Sequence, residues 1–170
     1  MPALRLRWER HPVLLRLRVA LVAAEAARQS LGLAPPLQAL RGSSHTSLWL
    51  GPDQWLLLGE AASADELLTH VGARLGELRH LVVNVSAALL RVRISGAAAR
   101  TLLAMGSGID CSARALQPGS CVRTRFARLA IVIHCTGEDD FDLYVDRSCR
   151  AYLESWLQRA AGDPLLAAGT

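Results

Sequence analysis

His134 and Cys135 stand side by side, Glu138, Asp139, Asp140 and Asp142 crowd the turn that follows, and Asp110 sits within Gly108-Ile-Asp-Cys111. An imidazole beside a thiol is material for a nucleophile pair or a metal site, and a run of carboxylates is material for a calcium loop. Spacing argues against each use. Neighbours on a strand project to opposite faces, so His134 and Cys135 do not share a ligand. A calcium loop needs carboxylates at its first, third and fifth positions and a distal bidentate glutamate, which this cluster lacks; a solvated turn is the simpler account. Asp110 can act as an acid or can tie its own loop through backbone hydrogen bonds, and the second use fits its Asx-turn setting. His11, His45, His70 and His80 have no second ligand three or four residues away. Cys111, Cys121, Cys135 and Cys149 form no C-x-x-C pair, so neither a zinc ribbon nor a redox dithiol is indicated. Gly106-Ser-Gly108 follows a helical pattern and does not open one, which removes the helix N-terminus a phosphate would use. No G-x-S-x-G elbow occurs. The sequence therefore assigns no catalytic, cofactor-binding or metal-binding residue.

The arginines are more informative. Arg91 and Arg93 project from one face of a strand whose other face carries Leu90, Val92 and Ile94, and Arg123 and Arg125 repeat the pattern. If these strands are neighbours, four guanidinium groups crowd one surface. That surface is then a docking face for an acidic partner protein, or a solvated face with salt-bridge partners. Trp8 joins them as an interface candidate, because residues 1–18 combine it with five arginines and alternating leucines. All 19 Lys/Arg residues are arginine, yet the net charge is only +4, too small an excess to require nucleic acid. With eight aromatics and no RNP-type motif, stacking platforms for RNA are scarce.

The elements that must position these residues read as an α+β chain. At 170 residues, 51% apolar and 20% charged, it is long enough for a core without staples and too apolar for disorder. Residues 1–40 are expected to be an N-terminal arm with a possible helix over Val19–Leu31 stopped by Gly32. Residues 41–162 are expected to be a single α+β domain, and 163–170 a frayed tail. Leu48–Leu50 and Trp55–Leu58 flank the turn Gly51-Pro52-Asp53; Ser63 and Glu66 make a capping box. Leu81–Val85 and Leu89–Ile94 read as strands, Gly96–Gly106 as a small helix, Val122–Cys135 and Phe141–Val145 as a hairpin, and Arg147–Ala161 as a closing helix. The order β-α-β-β-α-β-β-α implies a mostly antiparallel sheet with helices packed on it. Halves at 47–95 and 96–161 look like variants of one unit. Arg16 and Arg18 interrupt the only N-terminal apolar run, so no signal peptide is read, and no stretch approaches a membrane span; a cytoplasmic protein is expected.

The segment Leu48-Trp-Leu-Gly-Pro-Asp-Gln-Trp-Leu-Leu-Leu58 resembles the L-W-L-G-P-D-E-W-L-L signature of the gamma subunit of heterotetrameric sarcosine oxidase. Val83-Asn-Val-Ser86, Ile94-Ser-Gly96 through Leu102-Leu103, Gly108-Ile-Asp110, Pro118-Gly-Ser-Cys121 with Thr124, and Arg147-Ser148 through Tyr152 and Trp156-Leu157 follow in the same order. The resemblance covers about residues 45–161 and implies the fold of aminomethyltransferase-like folate-binding proteins, reduced to their central domain. It implies a non-catalytic subunit packed mainly against alpha, with beta and delta as further partners. FAD, FMN, NAD and tetrahydrofolate are then held by the partner subunits. The assembly oxidises sarcosine and passes the one-carbon unit to tetrahydrofolate. A subunit of a related N-methyl amino acid oxidase or dehydrogenase, and a stand-alone folate-binding protein of aminomethyltransferase type, are the alternatives.

Overall fold

The structure is a computed structural model that describes residues 4–10, 13–59 and 63–163. In chain order its elements are β1 (Arg5–Glu9), β2 (Val13–Val19), a 3-10 turn (Leu21–Ala23), α1 (Ala24–Leu31), β3 (Ala39–Arg41), β4 (His45–Gly51), β5 (Gln54–Gly59) and α2 (Ala64–Leu75). Then come β6 (His80–Asn84), β7 (Leu89–Ser95), α3 (Ala99–Gly106), β8 (Cys121–Phe126), β9 (Leu129–Gly137), β10 (Asp140–Asp146), a second 3-10 turn (Arg147–Cys149) and α4 (Arg150–Ala161). The α+β class with antiparallel pairing stands as expected, but the strands form two five-stranded sheets where one was anticipated. The chain divides into two compact units, Met1–Arg10 with Ala88–Thr170 and His11–Ala87, and not at residue 41.

The expected arm is a correction. Residues 5–9 and 13–19 are strands, because Arg16 and Arg18 alternate with Leu15, Leu17 and Val19, the period-2 pattern of a strand with one buried face. The possible helix is shorter than Val19–Leu31: Val19 ends β2, Leu21–Ala23 form a 3-10 turn, and the α-helix begins at Ala24. Its C-terminal stop holds: Gly32 takes the left-handed conformation (φ 63°) and its N–H reaches back to the Arg28 carbonyl. The expected tail beyond residue 163 and His11 lie outside the described residues.

In the unit His11–Ala87 the sheet order is β3-β4-β5-β2-β6. Leu15, Leu17, Trp55 and Leu57 pack on one face against Ala27 and Leu31 of α1 and Leu67, Val71 and Leu75 of α2. The capping box of α2 is complete: Ser63 Oγ accepts from the Glu66 N–H, and Glu66 accepts from the Ser63 N–H. The β4–β5 pair is bulged between Trp49 and Gly51, as the Gly51-Pro52-Asp53 turn leads one to expect.

In the other unit the order is β1-β7-β10-β9-β8. Val92, Ile94, Phe141, Leu143, Ile131 and Ile133 face Leu102 and Leu103 of α3 and Leu153 and Leu157 of α4. The stretch expected as one strand, Val122–Cys135, is two strands joined by Ala127 and Arg128, both at positive φ (49° and 69°). The two units share one topology. β2-α1-β3-β4-β5-α2-β6 corresponds to β7-α3-β8-β9-β10-α4, with β1 filling beside β7 the place that β6 fills beside β2. The repeated halves thus run from 13 to 84 and from 89 to 161, with one edge strand supplied from the chain start, and not over 47–95 and 96–161.

Candidate functional site

Register decides whether the four arginines form one surface. Arg91 lies opposite Tyr144, Tyr144 opposite Val132, and Val132 opposite Arg123. All four arginines share the sheet face turned away from α3 and α4, but β7 and β8 are not neighbours: β10 and β9 stand between them. Three strand spacings put the two backbones roughly 14 Å apart, beyond the ~8 Å Debye length. The arginines therefore make two separate pairs and not one crowded field.

The pairs differ in kind. Arg123 and Arg125 are exposed. Arg91 and Arg93 are engaged: Asp142, on the neighbouring strand and only 3% exposed, meets Arg91 at 3.4 Å and Arg93 at 3.2 Å. Arg91 also donates to Glu9 of β1, which lies opposite it, and Arg7 meets Glu9 at 3.3 Å. The Arg91 hydrogen bond holds the Glu9 carboxyl below its ordinary value against a smaller cost of burial. For these two arginines the salt-bridge reading holds. Asp142 is correspondingly a correction, since it is a buried counter-ion in β10 and not part of a solvated turn. Its neighbour His134 is driven down to about 4 by burial and by the adjacent Arg93 and Arg91 charges. Burial also pushes the Tyr144 hydroxyl upward.

Trp8 faces the other way. It pairs with Val92 and so points to the helix-covered side, where it packs against the core of its unit with the Arg150 guanidinium 5.4 Å from its ring centre. It is half-buried structure, and does not share a face with Arg91, Arg93, Arg123 and Arg125.

The remaining candidates fall to structural work. Cys135 points into the core while His134 occupies the opposite face, as strand geometry requires. Burial raises the Cys111 and Cys135 thiols, which disfavours the thiolate a nucleophile needs. Among the described residues no disulfide joins the four cysteines. Asp110 accepts from the Ser112 N–H at 2.8 Å and ties its own loop. α3 ends at Gly106, where a Cβ would strike the Phe126 ring. Among the described residues no group of three or more His, Cys, Asp or Glu side chains is arranged to hold a metal.

The signature residues are likewise fastened into the fold. Trp55 is buried and its Nε1–H donates to the Ala34 carbonyl at 2.9 Å. Asp53 takes the Arg18 Nε–H at 2.9 Å while its carbonyl takes the Val19 N–H, so the Gly-Pro-Asp turn clamps the end of β2. Ser86 Oγ accepts the Leu14 N–H at 2.8 Å. Asp146 caps the turn before α4 through the Ser148 N–H. Arg100 gave no signal in the sequence. It donates to the Cys111 and Leu116 carbonyls, bridges to Asp139 and lies 5.0 Å from the Phe141 ring, pinning the 107–120 loop to α3.

A fold of two antiparallel α/β layers, with its signature residues spent on turns and caps, is shared by known proteins. A chain of heterotetrameric sarcosine oxidase from Corynebacterium sp. U-96, in complex with pyrrole 2-carboxylate, superposes with a TM-score of 0.80 at 24% identity, covering 92% of this chain and 83% of that one. Glycine cleavage system aminomethyltransferase T from Bartonella henselae superposes with a TM-score of 0.66 at 15% identity, covering 95% of this chain and 46% of that one. The class is therefore the aminomethyltransferase-like α+β fold. Within it, residues 18–163 match the sarcosine oxidase, gamma subunit family, and the chain belongs to that family. The sarcosine oxidase subunit gamma of Corynebacterium sp. (strain U-96) is 28% identical over 137 residues, 79% of this chain and 66% of that relative. The subunit gamma of an Arthrobacter sp is 29% identical over 123 residues, 70% and 59% of the two. The chain spans about two thirds of the length of the curated relatives it matches, or less.

Proposed function

We propose that the chain is the gamma subunit of a heterotetrameric sarcosine oxidase and acts there as a non-catalytic, assembly-supporting subunit. The observation that carries this reading is the family match across residues 18–163. Its physical support is the structural employment of nearly every reactive side chain. Asp110 and Asp146 tie turns, Asp142 and Glu9 neutralise arginines, and Cys111 and Cys135 are core thiols. The partners are alpha, beta and delta subunits, alpha foremost, and these hold FAD, FMN, NAD and tetrahydrofolate. The complex oxidises sarcosine and delivers the one-carbon unit to tetrahydrofolate in the cytoplasm. Among the described residues no helix is long and apolar enough to cross a membrane.

A stand-alone folate protein is less well supported, since that likeness is one of fold at 15% identity, whereas the gamma subunit family matches residues 18–163. Co-expression with alpha, beta and delta subunits of a heterotetrameric sarcosine oxidase tests the proposal: a stoichiometric complex that binds flavin and turns over sarcosine is expected. Failure to join any flavoprotein, or micromolar binding of tetrahydrofolate by the isolated chain, overturns it.

A further inference from the structure

Two five-stranded sheets leave four edge strands, and natural proteins guard such edges with charge, shortness or cover. Three of the four are guarded here. β1 carries exposed Arg5 and Arg7; β3 has three residues; β8 carries exposed Arg123 and Arg125, and its end is bridged by Ser107 opposite Phe126. β6 is different. Its sequence His80-Leu-Val-Val-Asn84 has no charge in its interior, and Leu81 and Val83 are 61% and 43% exposed. Beside it the 3-10 turn after β2 leaves Leu21 and Val22 67% and 98% exposed. A cleft of about 660 Å³ at the end of the strand brings Leu21 and Leu81 together with Arg18, its partner Asp53, Arg79 and His80.

The hydrogen-bond parity of the β2–β6 ladder identifies which backbone groups this edge offers. The Ala20 N–H bonds to the Arg79 carbonyl and the Val85 N–H to the Leu14 carbonyl. Those bonds bracket the pairs Arg18–Leu81 and Arg16–Val83, so Leu81 and Val83 turn their peptide groups inward to β2. His80, Val82 and Asn84 turn theirs outward along the edge.

We infer that β6 is a docking edge that accepts an extended, acidic and apolar segment of a partner flavoprotein as a sixth strand, by strand addition. This inference rests on the subunit role proposed above. Its occupant follows from charge. The apolar centre is bordered by exposed Arg16 and Arg79, and by Arg18, which already pairs with Asp53. A second copy of this chain would offer β6 itself, His80-Leu-Val-Val-Asn84, which has no carboxylate to answer these arginines, whereas a partner strand with carboxylates beside its apolar residues complements them. The outward peptide groups of His80, Val82 and Asn84 supply affinity, and Leu81 and Val83 supply the side-chain register.

The test uses the complete complex and the free chain. Amide exchange at His80, Val82 and Asn84 is expected to be fast in the free chain and slowed at least tenfold in the assembled complex, with Leu81 and Val83 already protected by β2. The double variant Leu81→Asp/Val83→Asp, placed on exposed side chains, is expected to weaken assembly at least tenfold with an unchanged melting temperature; His80→Pro, which deletes one outward N–H, should act the same way. Wild-type assembly with unchanged exchange at His80, Val82 and Asn84 overturns the edge and leaves the subunit role standing. So does a homodimer of the free chain that the double variant abolishes. Failure of the wild-type chain to assemble overturns the subunit role and the edge with it.

Discussion

Asp142 and His134 sit opposite each other on adjacent strands, and their environments make opposite demands. Asp142 is a buried carboxylate answered by two guanidinium groups. Replacing it by Asn leaves Arg91 and Arg93 without their shared counter-charge, and breaking such a pair from one side is expensive. A loss of about 3 kcal/mol is expected for Asp142→Asn, read from urea denaturation. His134 is buried beside the same arginines and stays neutral down to about 4. Unfolded, it takes its proton near 6.5. Between those values the unfolded chain holds the extra proton, so stability falls as the solution is acidified from pH 6.5 to 4 and responds no further to this group below that. The full effect is about 3 kcal/mol. The carboxyls held low by partners, Glu9 by Arg91 and Asp53 by Arg18, add stability at neutral pH that is lost only below about their ordinary values of 4.5 and 3.8. The two windows separate. His134→Gln is expected to flatten the stability profile between pH 6.5 and 4.5 and to leave the steeper acid limb in place; an unchanged profile would show that the imidazole does not govern it.

At the scale of elements, the β8–β9 hairpin turns on two residues that both need positive φ, yet the turn is Ala127-Arg128 and contains neither glycine nor asparagine. An exposed arginine at φ 69° is strained. Arg128→Gly is expected to raise stability by about 1 kcal/mol, and Arg128→Val, whose branched Cβ tolerates that conformation worse, to lower it by about as much; thermal melts of the two variants check the pair. The same turn shows why part of the fold was illegible. Without turn residues, Val122–Cys135 reads as one strand. Elsewhere the local chemistry spoke plainly: Ser63 with Glu66 marked the start of α2, and Leu153 and Leu157 marked the buried face of α4. The alternation in Leu15-Arg16-Leu17-Arg18-Val19 was equally plain, but arginine density gave it the look of an arm. The paired arginines could be placed on one face from spacing alone, because facing follows from period 2. Their separation could not, because sheet order is set by long-range pairing that no local pattern records. For the same reason Asp142 read as one more acid of a turn, while its burial depends on Arg91, some fifty residues away in the sequence.

For the molecule as a whole, the shared topology of the two units explains why the chain start carries so much of the fold. β1 stands at the edge of its sheet and touches one neighbour, β7, whereas β2 stands between β5 and β6 with Leu15 and Leu17 fully buried. Truncation before and after residue 10 should therefore have different consequences. Removing residues 1–10 takes away an edge strand, the Trp8 contact under Arg150 and the Glu9 partner of Arg91. A lowered melting temperature with a retained cooperative transition is expected. Removing residues 1–18 also takes β2 out of the centre of the second sheet. β6 then loses its ladder to β2, α1 and α2 lose the surface that Leu15 and Leu17 provide, and burial worth about 1.5–3 kcal/mol per large apolar side chain disappears at once. Loss of amide protection throughout β4, β5, α2 and β6 is expected for that truncation, measured by hydrogen exchange, with the Leu90–Val145 core of the other unit still protected. Survival of the protected β4–β5 pair without residues 1–18 would show that the start of the chain is dispensable after all, and that the alternating arginines mark an arm and not the spine of a sheet.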